Sequence, residues 1–329
     1  MLMISRLILF FTITTLYNII PVSVPSSVSG KKICIDPGHG GTAETDTFRV
    51  GLLGEREEWV NLRVALMLKK MLEAKGAQVL MTRIADEKVE LTKRAELATS
   101  NKADLFVSIH HNSTADRNVN FPIVYFHGAA SENDASVQAS KFLAVEIQKQ
   151  LFSGKGHISV VSDYTIFPLK GAAVLRHSYG IPALLAEASF FSNVEEEKKL
   201  KEEEYNAKEA TAFMNAIELF FSHTQSKIKV KKIPDQLPVF HVLEEADRMK
   251  PEALSWLNDF ETAKELYKQK DTASLRIAYD LFSRSARSFP DSWVAKQCHE
   301  YRSAILMKFN RVKEAKEESI RAREYYTSE

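Results

Sequence analysis

Between residues 31 and 225, short apolar runs rich in β-forming residues alternate with longer segments whose apolar residues recur at three- and four-residue spacing. Such alternation leaves little freedom of architecture. Strands separated by helices tend to lie parallel with the helices packed on the sheet, so an α/β domain is expected: a mostly parallel sheet flanked by helices. The strands are expected at residues 32–36, 77–82, 104–110, 122–127 and 182–187, and the helices at 57–74, 91–101, 135–151 and 195–221.

Residues 226–240 are basic and proline-punctuated without helical periodicity, which reads as a linker. Residues 241–329 hold four helical stretches separated near 270–272, 289–291 and 310–311, so a small all-α C-terminal domain is expected. Within it, Ala278, Leu281, Phe282, Ala286, Phe289-Pro290, Ala295, Ala304 and Ala315 form a pattern that resembles a tetratricopeptide-type helix pair. An ordinary helical hairpin would use small residues in the same way.

Residues 1–30 have the layout of a secretory signal peptide: a basic Arg6, an apolar run from Leu7 to Val22, then small and turn-forming residues. A retained anchor is the alternative, because the run approaches bilayer-spanning length, but Asn18 and Pro21 interrupt it. Export to the periplasm or cell envelope follows, with only transient membrane contact if the segment is removed. No cysteine follows the run to accept a lipid anchor.

The 329 residues carry 44 lysines and arginines against 43 aspartates and glutamates, a net charge of +1 that argues against nucleic acid as partner. Cys34 and Cys298 lie far apart and form neither a disulfide framework nor a cysteine zinc motif. Each is expected to be a small buried hydrophobe.

Three expected strands end in groups able to bind a metal or move a proton: Ile35-Asp36-Pro37-Gly38-His39, Val107-Ser108-Ile109-His110 and Leu185-Ala186-Glu187. In open α/β sheets the ligand site lies outside the carboxyl ends of the strands, so these side chains can converge. A catalytic zinc takes three protein ligands and leaves a position for water, so two histidines and one carboxylate would suffice. Glu55, Glu57 and Glu58 compete for the carboxylate role. Glu57 extends the inward stripe of Val60 and Val64, whereas Glu58 is turned about 100° away, so Glu57 is the better ligand. A carboxylate in a first helical turn also has a plain structural role against the helix dipole. His110 and His111 face opposite sides of a strand; His110 ends the apolar run and is favoured. His127, His157 and His177 remain as other ligands, although none adjoins a glycine turn as His39 does.

Together, Ile35-Asp36-Pro37-Gly38-His39-Gly40-Gly41, Gly54 through Glu57 to Leu62, Thr82-Arg83, Leu91 to Arg94, Ala103 to His110, and Pro182 through Glu187 to Asn193 resemble the catalytic domain of zinc-dependent N-acetylmuramoyl-L-alanine amidases. The resemblance covers residues 31–221 or so and implies a phosphorylase/hydrolase-like fold. It implies Zn2+ ligands at His39, Glu57 and His110, an essential Glu187, and a substrate-contacting Arg176. The implied reaction cuts peptidoglycan between N-acetylmuramic acid and the L-alanine of the stem peptide. The loop at residues 42–51, Trp59 and the stretch 157–170 depart from the family pattern.

In that reading Glu187 takes a proton from the zinc-activated water and returns it to the leaving amine; otherwise it is a fourth ligand or an ion-pair partner. The rival functions are a zinc carboxypeptidase or aminopeptidase, and a catalytically silent wall-binding scaffold. The C-terminal helices are expected to recruit an envelope or division protein. The interval from His110 to Glu187 has no evident room for an occluding helix, so an open site is expected.

Overall fold

A computed structural model of the protein describes residues 26–41, 49–243 and 245–327. Most of the expected signal peptide lies outside them. Six strands form one sheet: β1 (Lys32–Pro37), β2 (Gln78–Met81), β3 (Leu105–Asn112), β4 (Ile123–Phe126), β5 (Ser159–Ser162) and β6 (Ala183–Phe190), in the order β2-β1-β3-β6-β4-β5. The pairings are parallel except for β4 against β6, so the sheet is mixed and mostly parallel. β5 is absent from the sequence-based expectation: it is a four-residue edge strand that begins and ends in serine.

Strand alternation sends Ile33, Ile35, Val107, Ile109, Leu184 and Ala186 to one face and Cys34, Phe106, Ala183 and Leu185 to the other. The first face is covered by α1 (Glu57–Ala74), α3 (Asp134–Leu151) and α6 (Glu203–Ser222). α1 buries Val60, Val64, Ala65, Leu68 and Leu72 at helical spacing, with Glu57 and Glu58 in its first turn where the helix dipole favours anions. The single helix expected at 195–221 is interrupted at Lys201 and Glu202, giving α5 (Val194–Leu200), capped by Asn193, and α6.

Among the described residues of the same part of the chain, the helices on the second face are the ten-residue α2 (Leu91–Ser100) and the five-residue α4 (Ala173–His177). Both faces of a mostly parallel sheet must be covered, and the remainder is covered by the C-terminal helices. These are α7 (Glu245–Arg248), α8 (Trp256–Gln269), α9 (Thr272–Ser288), α10 (Ala295–Lys308) and α11 (Val312–Glu324). α8 packs on α9, α9 on α10 and α10 on α11, with Ala278, Ala286, Ala295 and Ala315 buried.

Phe289, Trp256 and Trp293 meet Phe121 and Phe190 of the sheet side in one aromatic cluster. Full burial of a phenylalanine is worth about 1.5–3 kcal/mol, so this shared core is a strong joint. Hydrogen bonds seal it: Ser159 Oγ donates to the Asp291 carbonyl (2.7 Å), Ser131 Oγ to Glu324 (2.7 Å) and the Ser162 amide to the Tyr325 carbonyl (2.7 Å). The non-helical segment before the helices is also pinned, through Lys229, Lys232 and Ile233 amides that donate to Glu132. Cys34 and Cys298 are both fully buried, and burial pushes each thiol up to about 12, which leaves them inert.

Candidate active site

β1 ends in Pro37-Gly38-His39, and the turn brings His39 back over the sheet edge in the left-handed region (φ 59°). Gly38 is required by crowding: a Cβ there would lie 2.2 Å from the His110 ring. Two buried arginines clamp the turn. Arg83 donates to the carbonyls of Pro37 (2.8 Å), Gly38 (2.8 Å) and Glu58 (2.7 Å), and Arg94 to those of Pro37 (2.8 Å) and His39 (2.6 Å). Arg94 also pairs with Asp36 at 2.9 Å, while Thr82 and Ser108 hydroxyls donate to the same carboxylate. Although burial works against ionisation, those three partners hold the Asp36 carboxyl below its usual range.

Against this braced turn the start of α1 delivers Glu57, and β3 delivers His110. Glu57 Oε1 lies 3.0 Å from His39 Nε2 and 3.0 Å from His110 Nδ1. Ligand atoms of the three residues all fall within 4.8 Å of one another, and among the described residues no other group of three or more His, Cys, Asp and Glu could hold a metal ion. Burial opposes the charge on Glu57, but His39 and His110 hold its carboxyl well below the ordinary range. Burial pushes the His110 imidazole down to about 4, so near neutrality it carries a free lone pair, as a metal ligand must. Arg49 lies against both His39 and Glu57, its Nε 3.8 Å from Glu57 Oε2.

His111 points away from this trio into a buried relay. Its Nδ1 lies 2.9 Å from Asn61 Oδ1 and its Nε2 3.1 Å from Glu209, while Asn61 Nδ2 donates to Glu57 Oε1 (3.3 Å). Glu55 is tied to Arg63, and Glu58 faces Arg56. The other histidines are elsewhere: His127 pairs with Asp163 and Lys231, His157 stacks on Trp293, and His177 is exposed beside Arg176. Glu187 stands opposite His110 in the β3–β6 register, half-buried and outside the trio.

Two clefts flank the trio, and Phe167 borders both. One, with about 880 Å³ of empty space, is lined by Tyr125, Glu187 and Phe191 and, from beyond the sheet domain, by Leu243, Arg248 and Met249. The other passes Lys88, Leu91, Val174 and Arg176. Arg176, in the last turn of α4, donates to the carbonyls of Lys170 (3.2 Å) and Gly171 (3.0 Å). The His110–Glu187 interval walls the site through Tyr125, Asp163 and Phe167, and the segment before α8 adds Leu243, Arg248 and Met249 to that wall. Thr82-Arg83 and Leu91 to Arg94 belong to the family-like motifs, but nothing in the sequence signals that both arginines brace the His39 turn. Tyr125, Asn61, Glu209 and Arg248 gave no sequence signal of their place.

The N-acetylmuramoyl-L-alanine amidase family profile matches residues 33–219, more than half of the chain. The protein YqiI of Bacillus subtilis is 33% identical over 195 residues, 59% of this chain and 86% of its own length. The N-acetylmuramoyl-L-alanine amidase AmiC of Escherichia coli is 31% identical over 227 residues, 58% of this chain but only 52% of its own length. The solved structure of the amidase AmiC2 of Nostoc punctiforme superposes with a TM-score of 0.51 at 30% identity, covering 59% of this chain and 99% of that one. The fold, the strand-end trio and these likenesses all fall on the same residues: the chain belongs to the N-acetylmuramoyl-L-alanine amidases, the peptidoglycan hydrolases of the muramic acid to L-alanine amide.

Proposed function

We propose that this chain performs that hydrolysis with a zinc ion held by His39, Glu57 and His110, and with Glu187 as the acid–base group. The observation that carries the reading is the convergence of three ligand atoms within 4.8 Å beside a carboxylate on the neighbouring strand. Two histidines, one carboxylate and an adjoining cleft fit a catalytic zinc set. Zinc bound there would polarise the amide carbonyl and lower the pKa of water toward about 7.

The chain's own residues supply the remaining chemistry. Arg83 and Arg94 fix the His39 backbone, and Asn61 orients Glu57, so the ligands are set before the metal arrives. Glu187 accepts the proton of the attacking water and delivers it to the L-alanine nitrogen as the C–N bond breaks. Arg176 contacts substrate in the second cleft.

We also propose export, with the signal peptide cut upstream of Ser26. Ser26 and Ser27 hydroxyls donate to Glu218 and Val28 is fully buried, which supports a cut earlier than the boundary expected at residue 30. The outer surface of the C-terminal helices would serve an envelope or division partner.

The test is mass spectrometry of products from purified peptidoglycan, with and without chelator. Free stem peptides with an unblocked L-alanine, formed only with zinc, are expected. Shortened peptides still joined to muramic acid would replace this reading with a peptidase, and intact wall with a binding scaffold.

A further inference from the structure

The cleft that holds Glu187 is completed by residues beyond the family-matched 33–219, and Arg248 is the polar one among them. Its segment is fastened to the loop after β3. The Ala115 amide donates to the Arg248 carbonyl (3.1 Å), Ser113 Oγ to Met249 Sδ (3.0 Å), and Trp256 Nε1 to Asp116 (3.3 Å). The guanidinium is immobilised as well. Two of its nitrogens donate to Asp291, at 2.8 and 3.3 Å, the Phe289 ring lies 5.0 Å away, and the Tyr125 hydroxyl of β4 donates to the same Asp291. Among the described residues Arg248 Nε has no hydrogen-bond partner, although the residue is only 7% exposed. A buried donor left unsatisfied is unfavourable, and a rigid guanidinium loses little freedom on binding an acceptor.

We propose that Arg248 is a substrate-positioning residue: the C-terminal helical unit builds one wall of the amidase cleft, and Arg248 donates from it to an oxygen of the stem peptide. The inference rests on the amidase reading. Its surroundings favour the peptide rather than the glycan, because Tyr125, Phe191, Leu243 and Met249 give this cleft an apolar lining suited to amino-acid side chains. The acceptor is either a backbone carbonyl or a free side-chain or terminal carboxylate. A wall contributed from outside the sheet domain would make substrate length, rather than the chemistry at the amide, the property that the helical unit reads.

The experiment uses the full mature chain, loaded with zinc, and compares Arg248→Met and Arg248→Lys with the parent. The substrates are N-acetylmuramoyl-L-alanine and an N-acetylmuramoyl tetrapeptide, the latter with its carboxylates free or amidated. In the parent, kcat/KM should be higher for the tetrapeptide, and Arg248→Met should shrink that advantage by about tenfold through KM, with Arg248→Lys between. Loss confined to the free-carboxylate substrate would identify a carboxylate acceptor; equal loss on both tetrapeptides would identify a carbonyl. If Arg248 only clamped the helices, Asp291→Asn and Arg248→Met would lower both substrates alike, and an unchanged length preference overturns the proposal. Should the parent cleave neither substrate, the amidase reading fails separately. Calorimetric binding of the tetrapeptide then decides, with unchanged affinity in Arg248→Met counting against the proposal.

Discussion

Glu57 and Glu318 are both buried carboxylates in contact with histidine and arginine, one at the edge of the sheet and one between the last two helices. Glu318 on α11 meets His299 at 2.5 Å and Arg302 at 2.9 and 3.1 Å, both from α10 and three residues apart, hence on one helix face. It is a local clamp between consecutive helices, and its charge is matched by a bidentate guanidinium. Glu57 instead meets two imidazoles delivered by the end of β1 and by β3, at the mouth of a cleft. The same residue types give a rivet in one place and the proposed zinc ligand set in the other. Access and convergence from distant elements, not composition, separate them.

The sharpest way to break this contrast is to remove each carboxylate. Glu57→Ala should abolish stoichiometric zinc, read by elemental analysis, and with it turnover. Glu187→Gln should retain zinc and lose about 10³-fold in kcat, within the usual range for a lost acid–base group. Near-normal turnover in Glu187→Gln would end its assigned role. Glu318→Ala should leave both zinc and turnover intact at low temperature, yet cost about 3–5 kcal/mol of stability by stranding buried Arg302. Zinc loss in Glu318→Ala would collapse the distinction between the two clusters.

Chelation should divide them next. A ligand at 1,000 times its Kd stabilises the fold by about 4 kcal/mol, so a chelator should lower the melting temperature of the parent measurably. Glu57→Ala should not respond. An equal response in both proteins would place the metal elsewhere.

Acid provides a smaller test on the helical side. Burial opposes ionisation of Glu318, but His299 and Arg302 hold its carboxyl below the normal range. A depressed carboxyl contributes stability in full above its unfolded pKa of about 4.3, and that contribution is lost as pH falls toward the folded value. Urea titrations between pH 6 and 3 should therefore show a steeper loss in the parent than in Glu318→Ala. Parallel curves would mean that Glu318 does not carry the clamp.

Period and strand-end chemistry made the central sheet legible, because Ile33, Ile35, Val107 and Ile109 advertise burial and His39, His110 and Glu187 follow such runs directly. β5 carries too little pattern to be read, because it is four residues long and only two of them, Val160 and Val161, are apolar. α4 escaped because five residues make little more than one turn. The docking of the helices was invisible for a different reason. Phe289, Trp256 and Trp293 would satisfy an isolated helical bundle just as well, and nothing in their spacing reports that Phe121 and Phe190 lie opposite. Arg248 inherits that blindness, since its place in the cleft depends on the docking.

Arg176 offers the finest test, because its guanidinium has two uses in view. It lines the second cleft, and it braces its own backbone at Lys170 and Gly171 much as Arg302 braces α11. As a substrate contact it should be worth one ordinary hydrogen bond, about 1 kcal/mol, so Arg176→Ala should raise KM about fivefold with little change in kcat. As a brace it should lower the melting temperature and leave KM alone. Measuring both quantities on Arg176→Ala and Arg176→Lys separates the roles, since lysine keeps the charge but not the fork that reaches two carbonyls. A melting shift without a KM shift would move Arg176 from the substrate to the scaffold, leaving the sheet domain's second cleft defined by Lys88 and the apolar residues around it.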